Sequence, residues 1–241
     1  MTRPKLRYLE RRWNRLGRED PLWAVYSDPE KRGSRWDIDA FLETGVTEIT
    51  HMLEEARACG LDPRGRALDF GCGVGRLTQA LAAHFDEVWG VDVAPSMIEE
   101  AERINRFPDR VHYRLNTVDD LSTFEDDRFG LVYSSITLQH IEPGFARRYI
   151  AEFYRVTKPG GAVIFAIPEP TPRQWIKEKI PRGLVRAGLS ALSLIRPRME
   201  SWGMSPGDVS TIVSASGGRV LRSGGDAAFT TYYTIVGDQT R

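Results

Sequence analysis

Three glycines at alternate positions, Gly71, Gly73 and Gly75, follow an apolar run that contains Asp69, and a helical pattern starts directly after them. Glycine has no Cβ, so backbone here can approach a bound molecule closely, and a helix start offers unpaired N–H groups. Such a turn suits a flat, polar ligand lying across it. A second carboxylate, Asp92, ends the strand-like run from Glu87 about twenty residues past the turn, where a βαβ unit grips a ribose diol with two acceptor oxygens. A third group, His140, follows a further strand-like run, Phe129 to Ser135. Its imidazole titrates near neutral pH and can take a proton from a hydroxyl.

Two cofactor classes use a glycine turn of this kind. The dinucleotide fingerprint G-x-G-x-x-G needs glycine at its sixth position for close helix packing; here that position is Arg76. Asp69 is an anion that repels a pyrophosphate and suits a cationic amino acid group. The pattern Asp-x-Gly-x-Gly-x-Gly over Asp69, Gly71, Gly73 and Gly75 resembles motif I of the class I S-adenosylmethionine-dependent methyltransferases. The resemblance extends over roughly residues 62 to 168 in several ordered motifs. It implies that the glycine turn holds the methionine part of S-adenosylmethionine and that Asp92 holds the ribose. It also implies that Val93 and Met97 flank the adenine and that Ser134, at the end of the fourth strand, borders the cofactor. Where the family presents an acidic side chain to the adenine amino group, this chain has Thr117. The contact then comes from the Thr117 hydroxyl, from the Val118 backbone N–H, or from Asp119.

The elements that must position these groups are legible in outline. A helix is expected over Val74 to His84, and Ser96 and Glu99 have the spacing of a capping box that opens the next helix. Val111 to Leu121 reads as a third strand and its loop. A helix runs from Pro143 to about Val156, with Phe145, Tyr149, Ile150 and Phe153 on its apolar face. Lys158-Pro-Gly-Gly161 breaks it, and Ala162 to Ile167 is a fully apolar fifth strand. Strand and helix in alternation imply a parallel sheet with helices on both faces. With the resemblance, this predicts a three-layer α/β/α Rossmann-like methyltransferase fold. Its seven-stranded sheet is mostly parallel with an antiparallel last strand, and it adds an N-terminal helical cap and a helical lid after strand five.

At 241 residues the chain has the length of a single α/β domain. The expected divisions are a cap at 1–60, a cofactor-binding core at 61–168, a lid insertion at 169–204, and a closing helix and hairpin at 205–241. Net charge is zero, which argues against a nucleic acid partner held by bulk electrostatics. Two cysteines, Cys59 and Cys72, indicate neither a disulfide framework nor a cysteine metal site, and no metal requirement is expected. The first twenty residues are too charged for a signal peptide and no apolar run reaches membrane-spanning length, so a cytoplasmic protein is expected, as monomer or homodimer.

Transfer from a sulfonium mainly requires alignment of a nucleophile and exclusion of water, and a neutral hydroxyl also profits from a base. His140 is the base expected, with Glu142 as the alternative; Glu-Pro ahead of a helix also reads as a capping feature, and His140 also reads as a pocket wall. Trp36 offers an apolar or stacking wall to the acceptor and Arg35 a donor, while Tyr133 should lie near the transferred methyl. The lid places Trp175, Ile176, Ile180, Leu184 and Val185 among Arg173, Lys177, Lys179, Arg182 and Arg186. That surface reads as a solvated helix face, as a cationic lid, or as a contact with an anionic membrane. Arg3, Lys5, Arg7, Arg11, Arg12, Arg15 and Arg18 interleave with apolar residues in the same way at the N-terminus. The activity expected is methylation of a small molecule, most naturally at a hydroxyl of a sugar, polyketide or related metabolite. N-methylation and, on the same general fold, nicotinamide-dependent oxidoreduction are the alternatives.

Overall fold

Short apolar runs can bury both faces of a strand only in a sheet covered by helices on each side. The computed structural model, which describes residues 3–170, 201–225 and 228–237, has that architecture. Strands β1 (Arg66–Phe70), β2 (Glu87–Asp92), β3 (Val111–Leu115), β4 (Phe129–Ser134), β5 (Thr157–Ile167), β6 (Gly218–Gly225) and β7 (Thr230–Val236) form one sheet ordered β3-β2-β1-β4-β5-β7-β6. The first five are mutually parallel, and β7 runs antiparallel to both β5 and β6. This is the Rossmann-like methyltransferase sheet, with the last strand reversed.

Helices α1 (Arg3–Glu19), α2 (Pro21–Val25), α3 (Ile38–Ala58), α4 (Arg76–Leu81), α5 (Pro95–Arg103), α6 (Pro143–Val156) and α7 (Pro206–Ala215) complete the described part. One core layer joins Leu68, Val132, Val163 and Phe165 to α6 and α7 through Tyr149, Phe153, Val209 and Val213. The opposite layer joins Ala67, Leu131 and Ile164 to α3 and α4 through Ile49, Leu53, Leu77 and Leu81. Helix α3 therefore belongs to two regions. Its second half covers the sheet, while Phe41 and Leu42 pack with Val74 and Met97 beneath the cap.

Close approach explains the glycine in α3. A Cβ on Gly45 would stand 2.4 Å from the backbone oxygen of Arg76, so α3 and α4 touch backbone to backbone there. At the far end of the chain Ser205 caps α7 as its sequence suggests. Its hydroxyl oxygen accepts the Asp208 N–H at 3.2 Å and its hydroxyl donates to the Asp208 carboxylate at 2.7 Å, with Pro206 in the first turn.

Two local expectations are corrected. Helix α4 spans Arg76–Leu81 rather than Val74 to His84, because Val74 and Gly75 are still part of the turn and the chain leaves the helix through tight turns at Ala82 to His84. The Ser96/Glu99 capping box does not form. Pro95 occupies the first turn, Ala94 is the N-cap, and Ser96 lies inside the helix. Its N–H donates to the Asn14 side-chain oxygen at 3.0 Å and its hydroxyl to the Asn14 carbonyl at 2.9 Å, so α1 supplies the cap from outside. The basic and apolar side chains of the expected lid, from Arg173 to Arg186, lie outside the described residues. No helix among the described residues is long and apolar enough to cross a membrane.

Candidate functional site

At the carboxyl edge of β1, β2 and β4 the sheet opens into a cavity of about 680 Å³, the location open α/β sheets reserve for ligands. The switch from β1 to the strands on either side leaves this crevice, and the glycine turn forms its floor. Gly71, Gly73 and Gly75 all have positive φ, at 78°, 53° and 82°. The turn is fixed from behind: the N–H groups of Gly71 and Cys72 both donate to the Val91 carbonyl, at 2.8 and 3.0 Å. Gly71 and Gly73 face the cavity, whereas Gly75 is the N-cap of α4 and lies against the Tyr113 ring.

Asp92 stands at the end of β2 on the cavity wall. One carboxylate oxygen accepts the Gly73 N–H at 3.0 Å and the other accepts the Ala94 N–H at 2.9 Å. Burial pushes its pKa up, opposed by hydrogen bonds from the Ala94, Gly73 and Val93 backbone. Each oxygen retains acceptor capacity, so the group can take two further donors from a diol. Val93 and Met97 line the wall beside it.

Asp69 is placed differently from the expectation. It is buried beneath the turn, outside the cavity lining, with a carboxylate oxygen accepting the Thr78 hydroxyl at 2.6 Å. Desolvation raises its pKa to about 7, against the Thr78 hydrogen bond and the Arg76 cation. Any effect on a ligand is therefore exerted through the loop. Cys72, on the cavity wall, is a protonated thiol because burial pushes its pKa well up.

Arg76, where a dinucleotide fold needs glycine, lines the cavity with a buried side chain. Its guanidinium donates to Glu48 at 2.7 Å and to the Thr44 hydroxyl at 3.3 Å, and lies 4.9 Å from the centre of the Tyr26 ring. Tyr133 donates to the other Glu48 oxygen at 3.1 Å and does not reach the cavity. Strand alternation explains this, since Tyr133 shares the face of Leu131 and points towards α3. Ser134 is fully buried beside the turn, donating to the Phe70 carbonyl at 3.1 Å.

The wall facing Asp92 is the loop after β4. Ile136 adopts φ 54°, a costly conformation for a β-branched residue, and lines the cavity. Thr137 holds the loop to the turn, donating to the Ser135 carbonyl at 3.0 Å and within 3.4 Å of the Gly71 carbonyl. His140 follows in a short 3₁₀ turn, pinned by the Trp202 N–H donating to the Gln139 carbonyl at 2.7 Å. The imidazole lines the cavity, stands edge-on to Trp13 at 5.1 Å between ring centres, and has a buried Nδ1 without a hydrogen-bond partner. Burial and the Arg12 cation lower its pKa to about 4, so it is neutral at physiological pH.

The cavity does not collect every residue that sequence suggested. Glu142 begins α6 as its N-cap residue and lies off the lining. Trp36 packs against Tyr26 and Phe41, at 5.8 and 5.7 Å, and Arg35 is exposed; neither is on the lining. Thr117 and Val118 are exposed, and the buried neighbour Asn116 takes the place on the wall. Conversely, α1 and α2 roof the cavity with Leu6, Leu9, Trp13 and Val25, and Tyr149 of α6 closes its back while donating to the Val118 carbonyl. Only the helical spacing of Leu6, Leu9 and Trp13 hinted at an inward face.

A family model described as a methyltransferase domain matches residues 67–161. The chain is 34% identical over 120 residues to a ubiquinone biosynthesis O-methyltransferase of Alkalilimnicola ehrlichii, covering 48% of this chain and 47% of that one. It is 36% identical over 135 residues to a malonyl-[acyl-carrier protein] O-methyltransferase of Halorhodospira halophila, covering 55% and 43%. The chain thus spans about half the length of these relatives. Among solved structures, magnesium protoporphyrin IX methyltransferase from Synechocystis with bound SAH superposes with a TM-score of 0.63 at 16% identity, over 95% of this chain and 98% of that one. A DhpI–SAH complex does so with a TM-score of 0.62 at 16% identity, over 99% and 100%. At these identities the superpositions show a shared fold.

Proposed function

We propose that this chain, whose residues 67–161 match a methyltransferase-domain model, is a class I S-adenosylmethionine-dependent methyltransferase that transfers a methyl group to a hydroxyl of a small molecule. The observation that carries this reading is the shared cavity of the positive-φ glycine turn, the Asp92 carboxylate and His140. Asp92, with acceptor capacity left on both oxygens, would hold the ribose; Val93, Met97 and Asn116 would enclose the adenine; the Gly71 to Gly73 backbone would take the amino acid end.

The bound cofactor supplies an electrophilic methyl group on a sulfonium, which needs no activation by the protein. The chain's own residues then orient and shield. Trp13, Leu6 and Leu9 keep water from the reacting centre, which strengthens electrostatic interactions inside it. His140, neutral at physiological pH, would receive the hydroxyl proton on a ring nitrogen as the acceptor oxygen is alkylated. Arg76 and Glu48 neutralise one another at 2.7 Å and hold Tyr133 in place, so they act on the shape of the site.

The two relatives are named for O-methylation, which supports an oxygen acceptor over a nitrogen one, and the largely apolar cavity wall favours an apolar molecule carrying it. Incubation of the chain with S-adenosylmethionine and hydroxylated acceptors, read by mass spectrometry, should give products heavier by one methyl group. Loss of turnover in His140→Ala with unchanged cofactor affinity supports the base. Full turnover in that variant on an amine acceptor would instead mark an N-methyltransferase.

A further inference from the structure

Formal charge sums to zero over the chain, yet it is distributed very unevenly. Helix α1 contains seven basic residues against two acidic ones, a net of +5 in 17 residues, leaving −5 for the remainder. Arg7, Arg11, Arg15 and Arg18 are exposed at helical spacing and form an outward stripe. Among the described residues the ion pair seen along this stripe is Arg15 with Glu19, an exposed contact at 3.7 Å. Tyr8, 62% exposed, stands within the stripe. The opposite face of the same helix is spent inside the protein, where Leu6, Leu9 and Trp13 roof the cavity.

We propose that the outer face of α1 docks this protein electrostatically on an anionic lipid surface. Arginines near such a surface are each attracted by the negative headgroup potential, and an aromatic ring with a polar tip is favoured at that level. Residues 171–200 sum to +5 like α1, and the chain outside these two basic segments sums to −10, so a lipid surface attracts the basic segments and repels the rest. One helix, about 10 Å in diameter, then separates the headgroups from the cavity. An apolar acceptor dissolved in the bilayer reaches the site without crossing bulk water, a use of the docking that rests on the methyl-transfer reading above. The docking itself rests on the charge pattern. An acidic carrier protein would meet the same charge, and would bind without vesicles.

Co-sedimentation of the full chain with phosphatidylcholine vesicles, with and without phosphatidylglycerol, tests this. Binding is expected only to the anionic vesicles and should fall steeply with added salt. Each neutralised arginine removes about a fivefold factor, so a variant combining Arg7→Gln, Arg11→Gln, Arg15→Gln and Arg18→Gln should bind at least a hundredfold more weakly. The matching four Arg→Lys changes should retain binding, and a thermal melt confirms that both variants fold. Affinity for S-adenosylhomocysteine should be the same in all three proteins, which separates failure of the docking from failure of the cofactor site. Equal pelleting of the Gln variant, or no pelleting of the wild-type chain with anionic vesicles, overturns the proposal. So does salt-sensitive capture by an acidic carrier protein in the absence of vesicle binding.

Discussion

The carboxylate of Asp92 accepts the backbone N–H of Gly73 at 3.0 Å, tying the end of β2 to the glycine turn. The two parts of the proposed cofactor cradle are thus one unit, and the turn cannot shift without disturbing the residue assigned to the ribose. Asp92→Ala removes this bond, the bond to Ala94 and both acceptors for a diol. Hydrogen bonds to a charged group contribute about 1.5–3 kcal/mol each. Affinity for S-adenosylhomocysteine in Asp92→Ala should therefore fall about a hundredfold or more by calorimetry, with the far-ultraviolet spectrum unchanged.

The buried imidazole gives a pH signature. His140 titrates at about 4, held down by burial and then by Arg12. Its neutral form is complete above pH 6, so turnover limited by this base should be flat from there upward and fall only towards pH 4. Arg12→Gln removes a cation beside the ring and raises its pKa, moving the acid limb to higher pH. An acid limb near 6.5 in the wild-type enzyme, the value of a free imidazole, would contradict the assignment. Stability follows the same shift. The folded chain resists a proton that the unfolded chain accepts, so this contribution is whole above pH 6.5 and is lost as pH falls towards 4.

Asp69 titrates in the opposite sense. Its pKa is raised by burial from 3.8 to about 7, so ionisation is tolerated worse in the folded than in the unfolded state. Stability on this account is fullest below pH 3.8 and declines as pH rises through 7. Asp69→Asn keeps an oxygen for the Thr78 hydroxyl and carries no charge. Its thermal midpoint should exceed that of the wild-type chain at pH 8, and the difference should shrink by pH 5.

Two contacts between elements distant in sequence are open to single-residue tests. Gly45→Ala drives a methyl group to within 2.4 Å of the Arg76 carbonyl, which lies on backbone and has nowhere to go. Overpacking of this kind costs about 1–3 kcal/mol, and the melting temperature should drop by several degrees. Asn14→Ala uncaps α5 instead, at about 1 kcal/mol, and loosens α1, which keeps only the Ser96 hydroxyl bond to its backbone carbonyl there. Proteolysis within α1 should accelerate and S-adenosylhomocysteine should dissociate faster, with the core melting transition little changed.

Much of this was legible because local chemistry left few choices. Gly71, Gly73 and Gly75 need positive φ, and Asp92 closes a strand beside them, so spacing alone located the floor of the cavity. Fully apolar runs such as Ala162 to Ile167 foretold the parallel sheet. What was missed depends on contacts distant in sequence. Ser96 and Glu99 match a capping pattern, but Pro95 starts the helix earlier and Asn14, 82 positions away, takes the cap role. Tyr133 turned out to face Glu48 and Trp36 to pack with Tyr26 and Phe41, because strand pleat and aromatic packing decide where those rings point. A one-residue difference in the loop after β3 puts Asn116 rather than Thr117 on the wall. Trp13 gives no motif, and only the folded cap reveals that it meets His140.

Calorimetric titration of the purified chain with S-adenosylhomocysteine and, separately, with NAD tests the central claim most directly. Saturable heat with the first at one site per chain, and none with the second, is the predicted result. Absence of binding to S-adenosylhomocysteine, or binding of NAD in its place, would contradict the account.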